Sequence, residues 1–145
     1  MNVLIDDHLL REVVLEQEPP WLSRARAGGQ LATTGLWYYR LCSALRAPGI
    51  SGSLSGPIAS LPESLRSRVI EEVAALPEAI RLLSLREVSW SAADYAARYG
   101  LNVLAAEAIA AAVLTGSAIA TAIGNLPSRL AAAAEGEGVR VLSRR

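Results

Sequence analysis

VLAAEAIAAAVLTGSAIATAI, from Val103 to Ile123, is the stretch on which the fold turns. Its length and apolar content approach the ~20 residues that a membrane span requires. Three features break it: Glu107 lies inside, most of the side chains are small, and Thr115-Gly116-Ser117 stops a helix just ahead of Ala118-Ile119-Ala120. The segment therefore reads as a buried Ala-rich helix from Val103 to Leu114, a glycine turn, and a strand from Ala118 to Thr121. No membrane association is expected from it.

Outward from this stretch the same alternation recurs. Toward the amino end, Trp90 to Tyr99 reads as a helix closed by Gly100, and Ala79-Ile80-Arg81-Leu82-Leu83 as a strand. Pro62 to Leu76 has a helical pattern, with Pro62 and Glu63 suited to its first turn. Pro48 to Pro57, rich in Gly and Ser, is the most loop-like stretch. Leu31-Ala32-Thr33-Thr34 is a strand feeding a helix from Leu36 to Leu45, and Trp21 to Ala27 is a short helix stopped by Gly28-Gly29. At the amino end, Asn2-Val3-Leu4-Ile5 is an apolar run ending in Asp6-Asp7, as a central strand with acids at its carboxyl end would be. A helix follows from His8 to Leu15, with Leu9, Leu10, Val13 and Val14 on one face. On the carboxyl side, Leu126 to Glu135 reads as a helix and Val139 to Leu142 as a last strand.

Strands alternating with helices require parallel pairing through right-handed crossovers. The expected fold is α/β: a three-layer α/β/α sandwich with a central, mostly parallel sheet of four to five strands, in one domain over residues 1–145. In such sheets a ligand sits outside the carboxyl ends of the strands, where strand order reverses. That rule selects Asp6, Asp7 and the residues after Thr34 and Thr121.

Composition narrows the function. A hydrophobic content of 52% with 19% charged residues, over 145 residues, fits a packed domain rather than a disordered chain. The formal net charge is zero, which excludes the strong positive field of a dedicated nucleic-acid-binding domain. All 14 basic residues are Arg; with the abundant Ala, this reads as coding bias before it reads as RNA binding. The lone Cys42 excludes an internal disulfide and any multi-cysteine zinc site, and fits a reducing cytoplasm. No basic segment precedes an apolar run at the amino end, so the expected location is cytoplasmic.

The order of motifs resembles the PIN domain, VapC-like in outline, over nearly the whole chain. The resemblance rests on Val3-Leu4-Ile5-Asp6, on Ala32-Thr33-Thr34 before Trp37-Tyr38-Tyr39-Arg40-Leu41, and on Tyr99-Gly100-Leu101 before the Ala-rich helix. It continues through Thr115 to Ala122, Asn125-Leu126 and Gly138-Val139-Arg140-Val141-Leu142. It implies a magnesium- or manganese-dependent ribonuclease fold, often a toxin held by a partner antitoxin, whose clustered carboxylates hold the cation and activate water. Carried over residue by residue, Asp6 matches the first acid and is the candidate catalytic residue. The other three acidic positions fall on Arg40, Ala105 and Ile123, and Asn125 matches a secondary polar position. Asp7, Glu107 and His8 are the groups left to complete a metal site with Asp6 and Asn125.

The resemblance with three acids replaced implies a degenerate active site and a binding or regulatory protein, with no cofactor. Its partners would be a second copy of the chain, an antitoxin-like protein, or RNA. The alternative is an active Mg2+- or Mn2+-dependent endoribonuclease of a toxin–antitoxin pair.

Local readings stand beside these. Asp7 serves either as N-cap of the first helix or as a ligand, and His8 either as a solvated first-turn residue or as a general base. Trp37, Tyr38 and Tyr39 form core or a dimer contact, or else stack on bases. Arg24 with Arg26, and Arg66 with Arg68, suit solvated helix faces as well as a phosphate groove. Arg40, standing where an acid would face Asp6, is expected to pair with Asp6.

Overall fold

The computed structural model describes residues 1–47 and 54–144, so residues 48–53 of the expected loop lie outside the described residues. Five strands form one sheet: β1 Val3–Ile5, β2 Leu31–Thr34, β3 Ile80–Leu83, β4 Ala118–Ala122 and β5 Val141–Arg144. The order is β3-β2-β1-β4-β5 and every pairing is parallel, with Val3 opposite Leu31 on one side and Ala118 on the other. Among the described residues the helices are α1 Asp7–Val14, α2 Pro20–Ala27, α3 Gly35–Arg46, α4 Gly56–Ala59, α5 Glu63–Ala74, α6 Leu85–Tyr99, α7 Val103–Thr115 and α8 Leu130–Glu137.

The strand period of two divides the core between the faces. Val3, Ile5, Leu31, Ile80 and Ala120 face one way, against apolar residues of α1, α2, α3 and α5. Leu4, Ala32, Leu83 and Ile119 face the other way, against α6, α7 and α8. The result is the three-layer α/β/α sandwich expected from the alternation, with a sheet that is parallel throughout. In α7, Ala105 to Ala112 are all buried. Small side chains let this helix lie close to the sheet, and alanine gives up no rotamer freedom on burial. Among the described residues no single helix is long and apolar enough to cross a membrane, and α6 and α7 meet at 118°.

Some boundaries differ from the sequence reading. Helix α6 starts at Leu85 rather than Trp90, because the Glu87 carboxylate accepts the Ser84 N–H at 2.9 Å and closes a capping box. Helix α8 starts at Leu130 rather than Leu126, after Arg129 in the left-handed region, and α4 is an added turn.

Along the sheet, β1, β2 and β3 are laid down in one direction and β4 and β5 in the other. The reversal falls between β1 and β4. Their carboxyl ends therefore frame the crevice where this architecture places ligands.

Candidate functional site

Strand β1 ends at Ile5, and Asp6 is extended, with φ −78° and ψ 180°. Its Oδ1 accepts the Leu9 N–H at 2.8 Å, so Asp6 is the N-cap of α1 and Asp7 is the first residue inside the helix. The sequence reading put the cap one residue later, at Asp7. The difference matters: in a strand, Asp7 would face away from Asp6, whereas the helical turn brings both carboxylates to one place.

That place is organised by Asn125, three residues beyond β4. Its Nδ2 donates to Asp6 Oδ2 at 2.7 Å and to Asp7 Oδ1 at 2.8 Å. Asp6 Oδ2 also accepts the Ala122 N–H at 2.9 Å, while the Asp6 N–H donates to the Ala120 carbonyl. Asp6 thereby stitches β1 to β4 through main chain and side chain together. Asp7 Oδ1 accepts from the His8 N–H at 2.9 Å and lies 3.0 Å from His8 Nδ1. His8, with 18% of its side chain exposed, is a paired residue and not a solvated one.

Arg40, on the second turn of α3, places Nε 3.1 Å from Asp7 Oδ2. The expected pairing with Asp6 is corrected to Asp7, since Asp6 is already saturated by Leu9, Ala122 and Asn125. Oδ2 of Asp7 has no aligned hydrogen bond, so the contact with Arg40 is held by charge. Both acids are fully buried, while 45% of the Arg40 side chain is exposed.

Burial separates the two acids electrostatically. Desolvation pushes Asp6 above its ordinary 3.8, outweighing three hydrogen-bond donors, and the neighbouring Asp7 charge adds to the rise. Asp7 is as deeply placed, but burial is the largest single influence and is still overcome. His8, Arg40 and Asn125 together hold its carboxyl below 3.8.

One oxygen or nitrogen from each of Asp6, Asp7 and His8 lies within 4.8 Å of the others, which is the spacing of a metal cluster. The donor chemistry does not fit a divalent cation. Magnesium and manganese prefer oxygen ligands and keep several waters, while both carboxylates here are buried and face protein N–H donors or a guanidinium. A fixed positive charge beside Asp7 repels a second one.

Among the described residues, the remaining sequence candidates make no hydrogen bond to Asp6 or Asp7. Ala105 is buried in the core on α7, and Ile123 is exposed. Glu107 is only 1% exposed, and its Oε1 accepts the Leu36 N–H at 3.0 Å, so it caps the amino end of α3. Of the aromatic trio, Trp37 is core, Tyr38 donates its hydroxyl to the Val73 carbonyl, and Tyr39 is 67% exposed. Sequence reasoning missed Thr34, whose hydroxyl accepts the Trp37 N–H at 3.2 Å; a threonine just before a helical run was the available signal. It also missed the buried, unpartnered Thr121 hydroxyl on β4.

Glu107→Ala is expected to lower stability by about 2 kcal/mol, from a lost cap and a cavity set against relief of a buried, unpartnered Oε2. Glu107→Gln, which keeps an acceptor for Leu36, is expected to stay close to the parent. Urea unfolding of the two variants checks this, and equal midpoints would remove the capping role.

No family model matches the sequence, and no curated protein matches it. Among solved structures the chain is similar to the crystal structure of PAE2754 from Pyrobaculum aerophilum, with a TM-score of 0.56 and 19% identity. The match covers 97% of this chain and 83% of that one, and at such identity it shows the fold alone.

Proposed function

We propose that this chain is a VapC-like PIN domain that binds without cleaving. The observation that carries the reading is the Arg40 guanidinium, 3.1 Å from Asp7 where the family pattern calls for an acid, beside an Asn125 amide that bridges Asp6 and Asp7. Arg40 supplies the positive charge beside Asp7 and Asn125 supplies donors to both acids, so their oxygens are engaged inside the protein. A nuclease of this family needs them free to hold a cation and activate water.

The occupants that suit this reading are a second copy of the chain, an antitoxin-like protein, or RNA held uncut. Exposed Leu82 on the edge strand β3, with Leu85 and Trp90 on α6, favours a protein partner. The competing reading is a Mg2+- or Mn2+-dependent endoribonuclease using Asp6, and the observation in its favour is the close Asp6, Asp7 and His8 grouping.

Calorimetric titration of Mn2+ and Mg2+ into the purified protein separates the two. The expected result is no saturable heat at millimolar metal, and no metal-dependent cleavage of a mixed RNA substrate. Saturable binding that disappears in Asp7→Asn, accompanied by cleavage, would establish the nuclease instead.

A further inference from the structure

The carboxyl ends of β1 and β4 mark the topological switch point of this sheet, the position at which α/β folds take ligands. What a ligand meets there is set by exposure. Asp6 and Asp7 are wholly buried, whereas Arg40 reaches solvent with nearly half of its side chain, and Tyr39, the preceding residue on α3, is exposed. The acids point their charge into the protein, and the outward group is a guanidinium.

We infer that the site has exchanged sign and takes an anion, a phosphoryl group, through Arg40. The inference rests on the reading above that the Asp6 and Asp7 pair holds no divalent cation. Arg40 uses Nε toward Asp7, which leaves Nη1 and Nη2 without a protein partner among the described residues. Those two nitrogens form the planar fork that matches two phosphate oxygens. Charge pairing with a buried carboxylate restricts the guanidinium beforehand, so less freedom is lost on binding. Asp7 balances part of the positive charge, and contact with one guanidinium gives weak binding, with a dissociation constant on the order of 1 mM for orthophosphate. A nucleic acid would add Tyr39 as a stacking surface for the base next to the phosphate.

The phosphoryl group is either free orthophosphate or part of an RNA strand, and three ligands distinguish the sources. The Arg40 Nε–H resonance and the Leu41 and His8 amides are followed by NMR during titration with orthophosphate, an RNA hexamer bearing a 5′-phosphate, and the same hexamer without it. The expected result is a saturable shift of these resonances. Orthophosphate acting alone assigns the site to free phosphate, a preference for the 5′-phosphorylated hexamer assigns it to a strand end, and equal response to both hexamers assigns it to the phosphodiester backbone. Arg40→Lys is expected to weaken the response at the His8 and Leu41 amides about tenfold, because it keeps charge without the fork, and Arg40→Gln to abolish it. Should Arg40→Gln fail to fold, the parent titration still decides.

Shifts confined to the other arginines, with Arg40, Leu41 and His8 unmoved by all three ligands, would overturn the inference. A separate Mn2+ titration that moves the same resonances saturably would overturn the metal-free reading on which it rests, whatever phosphate does.

Discussion

Asp6→Ala is expected to cost about 4 kcal/mol of stability, a fall in midpoint temperature of about 12 °C. Three N–H donors converge on this side chain: Leu9 N–H on one oxygen, and Ala122 N–H with Asn125 Nδ2 on the other. Alanine removes both acceptor oxygens, and with them all three hydrogen bonds, at a position with no solvent exposure. Each orphaned buried donor costs roughly 1–3 kcal/mol, partly offset because a desolvated charge disappears. Asp6→Asn is expected to lose much less, about 1–2 kcal/mol. Its amide can turn the oxygen toward Ala122 and Asn125 and leave only the Leu9 cap unmade. The ordering Ala well below Asn, below parent, is the signature, measured by thermal unfolding. An Asp6→Ala protein as stable as the parent would show that the carboxylate does not tie β1 to β4.

These residues also mark how far the sequence could be read. Alternating apolar runs and glycine stops located the strands and the layers, because the strand period and the helix stops are local properties. The position of Asp6 at a strand's carboxyl end was likewise legible. The N-cap was misplaced by one residue, since Asp6 and Asp7 are equally good caps and only the end of the β1 ladder decides between them. Arg40 was expected to pair with Asp6 and pairs with Asp7, because the choice depends on Asn125, far along the chain, having already saturated Asp6. Glu107 looked like an acid out of place on an apolar helix. Its partner is the main chain of α3, and no sequence pattern links a mid-helix glutamate to the amino end of another helix 71 residues away.

Arg40→Glu is expected to lose about 3 kcal/mol at neutral pH and to recover part of that loss, relative to the parent, as pH falls. Breaking a buried ion pair by removing one partner costs about 3–5 kcal/mol; partial exposure of Arg40 reduces this, and repulsion between the new acid and Asp7 adds to it. In the parent, Asp7 is held below its ordinary 3.8. Its contribution is therefore complete above pH 3.8 and is lost as pH falls through the lower folded value. Asp6 works in the opposite sense: being raised, it favours the fold below 3.8 and loses that contribution as pH rises through its folded value. Asp6 is common to parent and variant, and a new acid in the same cluster pushes it further upward, which acts in the same direction as the change at Asp7. With a carboxylate in place of the guanidinium beside Asp7, the two acids compete to ionise and one is pushed upward. The variant should then gain stability relative to the parent as pH falls from 7 toward 4. Midpoint temperatures of both proteins, taken at intervals from pH 7 to pH 3, test the sign directly. A constant gap between the two curves would mean that Arg40 and Asp7 do not sense one another, and the internal counter-ion would have to be sought elsewhere.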